Sequence, residues 1–308
     1  MTEGYCDPAA KRLFSPRLAH SSSRQRQMCY ALLLTLLVFC GNPIVAAEHT
    51  RLADHRNLIF DRLGTQAGLS QAAVSAIAQD QDGFIWVGSQ EGLNRFDGYH
   101  FETYYHQPAD PASLSHDSIW DILSDTQGNL WIGTDAGLNR YNETSNEFES
   151  VALDPPLGTE SGEDRGAIHV LFEDSAGRIW IGTSTGLVSM GTERQMVHYH
   201  HDPLDPKSLS AGSVRAIFED SFGKIWVGTE LGGLNRFDEV KQNFAHYRSD
   251  PDDPASISDN YIRAIIEVEP GQLWLATFNG GVSIFDTQTG TAERLPISEF
   301  KRARSLLK

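Results

Sequence analysis

The sequence of 308 residues contains only three cysteines, and all of them (Cys6, Cys29 and Cys40) lie near its start. The chain beyond Cys40 can therefore form no disulfide, bind no metal through thiolates and use no cysteine nucleophile. Basic residues are also few, with 25 Lys and Arg against 41 Asp and Glu and a formal net charge of −16. A surface this acidic repels phosphate backbones and anionic lipids, so we expect no nucleic-acid partner and no peripheral membrane binding.

Catalytic and metal-binding motifs are missing as well. The sequence has no G-x-S-x-G, no HExxH and no P-loop Gly-Lys-[ST], and its 11 histidines show no metal-ligand spacing. No stretch has apolar residues at helical spacing, which excludes a helical solenoid. We therefore expect no metal, no cofactor and no catalytic module in this chain.

The one long apolar run, residues 28–40, follows a basic segment and precedes the small residues Val45, Ala46 and Ala47. This order is typical of a secretory signal with its cleavage site. The run is shorter than the roughly 20 residues that span a bilayer. Residues 1–47 are therefore predicted to be a leader, and the mature chain to be periplasmic or otherwise extracytoplasmic. An uncleaved leader that anchors the chain in the inner membrane is the alternative.

A repeated phrase organises the remainder of the chain. Its clearest copy, residues 125–141, reads DTQGNLWIGTDAGLNRY, and four further copies carry a tryptophan at the same place. The five tryptophans are separated by 45, 49, 46 and 48 residues. A period of this length predicts a propeller, a solenoid or another repeat array. The five are Trp86, Trp131, Trp180, Trp226 and Trp274.

Each repeat is predicted to form four short strands, which we name a to d in chain order. In the first repeat they cover residues 74–78, 84–88, 93–96 and 100–105, with turn residues between them. Four antiparallel strands in each period of this length are typical of one blade of a β-propeller. The predicted fold is therefore an all-β propeller with five full blades.

The predicted boundaries follow from this period. Residues 48–72 form an N-terminal segment whose strand, 57–63, resembles the one that completes the last blade of a closed propeller. Blades 1–5 occupy residues 73–300, with an insertion at 154–165 before blade 3. Residues 301–308 repeat the start of strand a, so a sixth blade is expected to begin there. The chain is accordingly expected to be a fragment of a longer protein or a truncated product.

Most of the repeated residues are predicted to be scaffold. The tryptophans are expected to pack between blades rather than to stack on a ligand. The Asp-x-x-Gly segments have type I turn chemistry, and the first of them, Asp80 to Gly83, lacks the downstream Glu that a calcium loop requires.

Candidate site residues are those at which the otherwise uniform repeats differ. In a propeller, strand a lines the central channel and begins beside the d–a and b–c loops, at an end that we call the mouth. Aromatic and cationic side chains there could stack on a sugar and bind hydroxyls or a carboxylate. The second residues of the a strands are Ser75, Trp120, His169, Arg215 and Arg263. The b–c turn candidates are Gln90, Asp135, Glu230 and Asn279.

The phrase D-x-x-G-x-[IL]-W-[IV]-G-[TS]-x-x-G-L-N-R-[FY], with its Ser-Leu-Ser lead-in, resembles the two-component regulator propeller repeat. Blades 1, 2 and 4 match it almost throughout, blade 3 lacks Asn-Arg, and blade 5 departs most. The resemblance implies the extracytoplasmic sensor of a bacterial hybrid histidine kinase or related receptor. Such receptors usually carry seven or more repeats, a β-sandwich-like domain, a transmembrane helix and a cytoplasmic output module.

Three functions remain open from the sequence. The favoured one is a sensor of a small extracytoplasmic ligand, with an oligosaccharide as the class that family analogy suggests. The missing output domain would be a histidine kinase or a diguanylate cyclase. The second is a lyase or hydrolase that uses His169 and Glu230 at the mouth. The third is a protein-interaction scaffold, and a homodimer through the propeller is also expected.

Overall fold

The structure, a computed structural model, describes residues 62–153 and 166–295, all within the unit Arg62–Lys308. A short 3-10 turn, Thr65–Ala67, precedes the strands. In these two ranges no helix is long and apolar enough to cross a membrane. The strands are β1 Val74–Gln79, β2 Ile85–Ser89, β3 Gly92–Phe96, β4 Phe101–Tyr104, β5 Ile119–Ser124, β6 Leu130–Thr134, β7 Gly137–Asn142, β8 Glu147–Val151, β9 Ile168–Glu173, β10 Ile179–Thr183, β11 Gly186–Met190, β12 Met196–His200, β13 Val214–Glu219, β14 Ile225–Thr229, β15 Leu234–Asp238, β16 Asn243–Tyr247, β17 Ile262–Glu269, β18 Gln272–Thr277, β19 Val282–Asp286 and β20 Ala292–Arg294.

These strands form five separate antiparallel sheets of four strands, and each sheet consists of four consecutive strands in the spatial order a, b, c, d. One sequence repeat therefore makes one blade, which confirms the predicted all-β blade architecture. Strand a of each blade contacts strand a of the next, from β1 through β5, β9 and β13 to β17. Within the described ranges, no strand of blade 1 is paired with a strand of blade 5.

The repeated tryptophan is fixed by the repeated turn. In blade 2 the Trp131 Nε1–H donates to Asp125 Oδ2 at 2.8 Å, while Oδ1 of the same carboxylate accepts the N–H groups of Gln127 and Asn129. Equivalent indole-to-carboxylate bonds of 2.7–2.8 Å occur in blades 1, 3 and 4. The Asp-x-x-Gly turn thus satisfies both its own backbone and the buried indole. This explains why Asp recurs six residues before Trp.

The tryptophans also join neighbouring blades, as predicted. Trp86, Trp180 and Trp226 are fully buried. Each lies against an aromatic ring on strand c of the following blade, at centroid distances of 4.8 Å, 5.2 Å and 5.5 Å. Edge-to-face ring contacts of this kind add to the apolar burial that holds blades together. The three partners are Tyr141, Phe237 and Phe285.

In blade 5 a two-residue turn replaces the Asp-x-x-Gly turn between strands a and b. Glu269 pairs directly with Gln272, so Pro270 and Gly271 form a two-residue turn, and Gly271 has a φ of +83°. Pro followed by a residue with positive φ is the signature of a type II turn. Because no aspartate remains six residues before Trp274, its buried Nε1 has no hydrogen-bond partner among the described residues.

Glutamates at the ends of strands a form a second set of contacts between blades. The Glu173 carboxylate accepts the N–H and hydroxyl of Thr126 in the preceding blade, at 2.8 Å and 2.6 Å. Glu219 and Glu267 accept the same pair of bonds from Ser175 and Ser221. Each glutamate therefore fixes the a–b turn of its neighbour, at the end opposite the mouth.

The glycine of strand b is required by close packing of the next blade. A Cβ atom on Gly133 would lie 2.8 Å from Ile168 Cγ2 and 3.2 Å from the Ile168 carbonyl oxygen. We expect Gly133→Ala to lower the free energy of unfolding by about 1–3 kcal/mol, as overpacking of a filled core does. Chemical denaturation followed by circular dichroism measures this.

Gly64→Ala is the matched control for Gly133→Ala. Gly64 has a φ of −130°, and no atom lies within 4 Å of a Cβ built on it. Its replacement should leave stability unchanged or raise it slightly, because alanine restricts the unfolded chain. Equal effects of the two substitutions would contradict the packing argument.

Several predictions concern residues outside the described ranges. These are the leader at 1–47, most of the strand at 57–63, the insertion at 154–165 and the sixth-blade start at 301–308. Of the predicted closing strand, only Arg62 and Leu63 are described, and neither lies in a strand. The strands that were predicted for blade 1 agree with β1 to β4 within one residue at each end.

Candidate functional site

Every strand a contains a β-bulge at its second residue, the position that the sequence singled out. In blade 4, Val214 pairs with Thr229 and Ala216 with Gly228, so Arg215 has no partner in the ladder. A bulge turns a side chain away from the regular pleat and is common beside binding sites. The five bulged residues are Ser75, Trp120, His169, Arg215 and Arg263.

Buried asparagines position the start of strand a. Asn139 and Asn235 on strands c are fully buried, and their Oδ1 atoms accept the N–H groups of Ser115 and Ser210 in the Ser-Leu-Ser lead-ins, at 2.9 Å and 3.0 Å. In blade 3, Val188 replaces the asparagine, and this is the blade whose lead-in differs in sequence. The asparagine of the repeat therefore holds the lead-in of its own blade, and in blade 5 the Ser283 hydroxyl accepts the corresponding N–H of Ser258 at 3.0 Å.

Arg215 lies at the centre of the cluster at the mouth. Its guanidinium donates to Glu230 Oε2 from Nε at 3.1 Å and from Nη2 at 2.8 Å. The Arg215 Cζ atom lies 5.8 Å from the centroid of the Trp120 ring and 6.0 Å from that of Tyr261. Arg215 therefore connects blades 2, 4 and 5, with its charge compensated by Glu230.

Trp120 lies beside Arg215 and is held by its own blade. Its Nε1–H donates to Asp135 Oδ1 at 2.5 Å, so the b–c turn of blade 2 fixes the indole. The Trp120 ring meets the His169 ring edge-on, at a centroid distance of 5.4 Å and an angle of 83°. The bulged residues of blades 2, 3 and 4 thus contact one another directly.

His169 and Glu230 differ in their charge state at neutral pH. Burial, with the nearby Arg215 charge second, lowers the pKa of His169 to about 4, against the raising effect of a backbone hydrogen bond at Val214. Burial acts to raise the pKa of Glu230, but hydrogen bonds from Arg215 and Ser213 outweigh it and the pKa falls. At neutral pH the mouth therefore contains a neutral imidazole and a charged carboxylate.

The Arg263 guanidinium lies against two aromatic rings. Its Cζ atom lies 5.0 Å from the centroid of Tyr261 and 4.5 Å from that of Phe278, and these two rings stack at 5.0 Å. Through Tyr261 this group joins the Arg215 cluster. Cation–π contacts of this kind fix a guanidinium without neutralising it.

The other predicted residues lie apart from this cluster. Ser75 is exposed and donates its hydroxyl to the carbonyl of Ile119 at 2.6 Å. Gln90 is exposed, and its N–H donates to the side chain of Gln71. Asn279 is also exposed, and its N–H donates to Asp259.

The structure adds two aromatic residues that the sequence analysis omitted. Gln90, Asp135 and Glu230 each lie four residues after their tryptophan, and Phe278 rather than Asn279 occupies that position in blade 5. Tyr261 comes directly before strand β17. Counting from the tryptophan would have selected Phe278, while Tyr261 carried no repeat signal.

Comparison with known proteins supports the resemblance. The family model described as two-component regulator propeller matches four segments, residues 68–91, 113–136, 162–185 and 208–230. Histidine kinase P4 of Formosa agariphila is 43% identical over 61 residues, which cover 20% of this chain and 4% of the kinase. The chain thus corresponds to a small part of that relative.

Solved structures also resemble this chain. The extracellular domain of a hybrid two-component system from B. thetaiotaomicron is 24% identical, with a TM-score of 0.48 over 80% of this chain and 37% of that domain. Virginiamycin B lyase from Staphylococcus aureus is 13% identical, with a TM-score of 0.55 over 76% of this chain and 73% of the lyase. The likeness to the lyase concerns the fold alone. Four of the five described repeats therefore match the two-component regulator propeller model, and the chain resembles this family in repeat sequence and in blade architecture.

Proposed function

We propose that this propeller is the extracytoplasmic ligand-sensing part of a bacterial signal-transduction receptor of the two-component type. The observation that carries the proposal is the convergence of Trp120, His169 and Arg215 at one mouth, although they come from three blades. The repeats are uniform where they form scaffold and differ where they meet. Uniform scaffold with variable mouth residues is the arrangement expected of a binding module on a generic fold.

The mouth offers the groups that a polar ligand with a flat apolar face needs. The rings of Trp120 and Tyr261 provide stacking surfaces, while the two arginines and the imidazole provide hydrogen-bonding groups. An oligosaccharide combines both features and remains our preferred ligand class. Because the mouth residues belong to four different blades, a ligand that contacts them would change how the blades pack and pass that change to an output domain.

Localisation and output are further parts of this proposal. The basic segment and apolar run of residues 1–47 favour export to the periplasm by a signal peptide. The output would be a histidine kinase or a diguanylate cyclase on a longer form of the protein. We also propose a homodimer through the propeller, which sedimentation measurements would test.

We favour binding over catalysis because of the state of the two candidate catalytic groups. Glu230 is bonded to Arg215 and Ser213, and its lowered pKa makes it a poor general acid. With its pKa lowered to about 4, His169 is a weak base at neutral pH. General acid–base catalysts work best when their pKa values lie near the operating pH.

Thermal unfolding with a panel of neutral and acidic di- and trisaccharides tests the proposal. A sugar present at a concentration 100 times its dissociation constant should raise the free energy of unfolding by about 2.7 kcal/mol. Trp120→Ala should abolish the shift, and Ser75→Ala should retain it. Conversion of a sugar into product would instead establish an enzyme. Absence of any shift would overturn oligosaccharide sensing and favour the scaffold.

A further inference from the structure

The two arginines of the mouth, Arg215 and Arg263, differ in whether a carboxylate neutralises their charge. Arg215 forms an ion pair with Glu230 at 2.8 Å. In residues 62–153 and 166–295, no carboxylate lies within 4.0 Å of the Arg263 guanidinium. The Arg263 Nε atom is also buried without a hydrogen-bond partner in this part of the chain. A buried donor without an acceptor is costly, so an acceptor supplied by a ligand would bind Arg263 favourably.

Arg263 is already ordered for this role. The stacked rings of Tyr261 and Phe278 both lie within 5.0 Å of its Cζ atom. A guanidinium that is fixed before binding loses little entropy when it forms two parallel hydrogen bonds to a carboxylate. A phosphate dianion fits less well, because Arg215 is already neutralised and the chain carries a formal net charge of −16.

The His169 ring requires a hydrogen-bond donor from a ligand. Its Nδ1 atom is buried and has no hydrogen-bond partner in the described residues. The ring is neutral at neutral pH, because burial and the nearby Arg215 charge lower its pKa to about 4. When Nε2 carries the proton of the neutral ring, Nδ1 is a bare acceptor. It therefore requires a donor such as a hydroxyl group.

We propose that the mouth binds a hydroxylated carboxylate, with the carboxylate at Arg263, a hydroxyl donating to His169 Nδ1, and an apolar face against Trp120. This proposal rests on the sensing function proposed above and specifies its ligand class. The site requires an anion and a hydroxyl together, since each satisfies a different buried atom. A neutral sugar leaves Arg263 without its charge partner, and an acid without hydroxyls leaves His169 unsatisfied.

Three probes of similar size separate these contributions: galacturonate, galactose and cyclohexanecarboxylate. Calorimetric titration of the full chain should show tightest binding for galacturonate. Galactose should bind roughly 10- to 100-fold more weakly, the value of one charge-assisted hydrogen bond, and cyclohexanecarboxylate roughly 2- to 10-fold more weakly, the value of a neutral one. Arg263→Gln should remove the preference for galacturonate over galactose. His169→Leu should remove the preference for galacturonate over cyclohexanecarboxylate.

Arg140→Gln is the matched control, because it removes one positive charge from an exposed ion pair with Glu149. It should leave all three affinities unchanged, and circular dichroism should show that each variant is folded. Equal binding of galactose and galacturonate, unaltered by Arg263→Gln, would overturn this inference while the sensing function stands. If none of the three probes binds while a neutral oligosaccharide from the wider panel does, the carboxylate assignment is wrong. If no sugar in either experiment binds, the sensing function fails with it.

Discussion

Truncating Trp226 to alanine should lower the free energy of unfolding by about 3–5 kcal/mol, the cost of removing a large buried aromatic side chain. Trp226 is fully buried between blades 4 and 5, with Phe285 and Tyr247 at centroid distances of 5.5 Å and 5.8 Å. Its Nε1–H donates to Asp220 at 2.8 Å. The substitution therefore also removes a hydrogen bond that the buried Asp220 carboxylate accepts. Urea unfolding followed by far-ultraviolet circular dichroism measures the loss.

The same chain contains the control for this substitution. Trp274 occupies the same place in blade 5, but it is only partly buried, and its Nε1 has no partner among the described residues. Trp274→Ala should therefore cost less than Trp226→Ala, because it removes less buried area and no hydrogen bond. Equal losses would show that the aspartate-bound indoles do not hold the blades together more strongly than the unbonded one.

The blade architecture could be predicted from the sequence because its causes are local and repeat. The Asp-x-x-Gly turn, the buried tryptophan six residues after Asp125, and the glycine that Ile168 packs against are each imposed by one blade and its neighbour. Five copies of the same constraint leave a period that survives variation at other positions. Contacts such as that of Glu173 with Thr126 were missed, because one carboxylate at a strand end looks like any solvated charge.

The candidate site could be predicted only in part. Trp120, His169 and Arg215 stood out because they interrupt uniform repeats, and the structure places them in contact. The β-bulge that these three residues share cannot be recognised in the sequence, because the apolar pattern on either side of it is unchanged. Asn279 was predicted as the b–c turn residue of blade 5, but the position equivalent to Gln90, Asp135 and Glu230 is that of Phe278, where an aromatic ring lies against Arg263. Blade 5 departs most from the repeat, which makes its turn the hardest to align.

Ionisation of Asp121 should make its contribution to stability unfavourable as the pH rises from 4 to 7. Its side chain is partly buried, and burial raises its pKa to about 6, although the N–H groups of Leu171 and Ile122 donate to it at 2.8 Å and 2.9 Å. The unfolded value is about 3.9, so between these two values the folded chain binds more protons than the unfolded chain. The contribution of Asp121 to stability is therefore greatest below pH 4 and falls as the pH rises towards 6. His169, whose folded pKa is about 4, contributes a gain of similar size between pH 4 and 6.5, so the Asp121 effect is measured as a difference between variants. The full cost, about 3 kcal/mol, is present at pH 7.

Asp121→Asn removes the titrating proton and retains an oxygen that can accept from Leu171. We expect the unfolding free energy of Asp121→Asn to rise relative to that of the unsubstituted chain between pH 4 and 7, by up to about 3 kcal/mol, and to exceed it at pH 7.5. Glu147→Gln, which removes an exposed carboxylate from strand β8, should differ from the unsubstituted chain by the same amount at every pH. The other a strands carry Ala76, Val170, Ala216 and Ala264 at the position of Asp121. A difference between Asp121→Asn and the unsubstituted chain that stays constant from pH 4 to 7 would show that Asp121 does not titrate in this range, whereas the expected rise would identify this single acid as its cause.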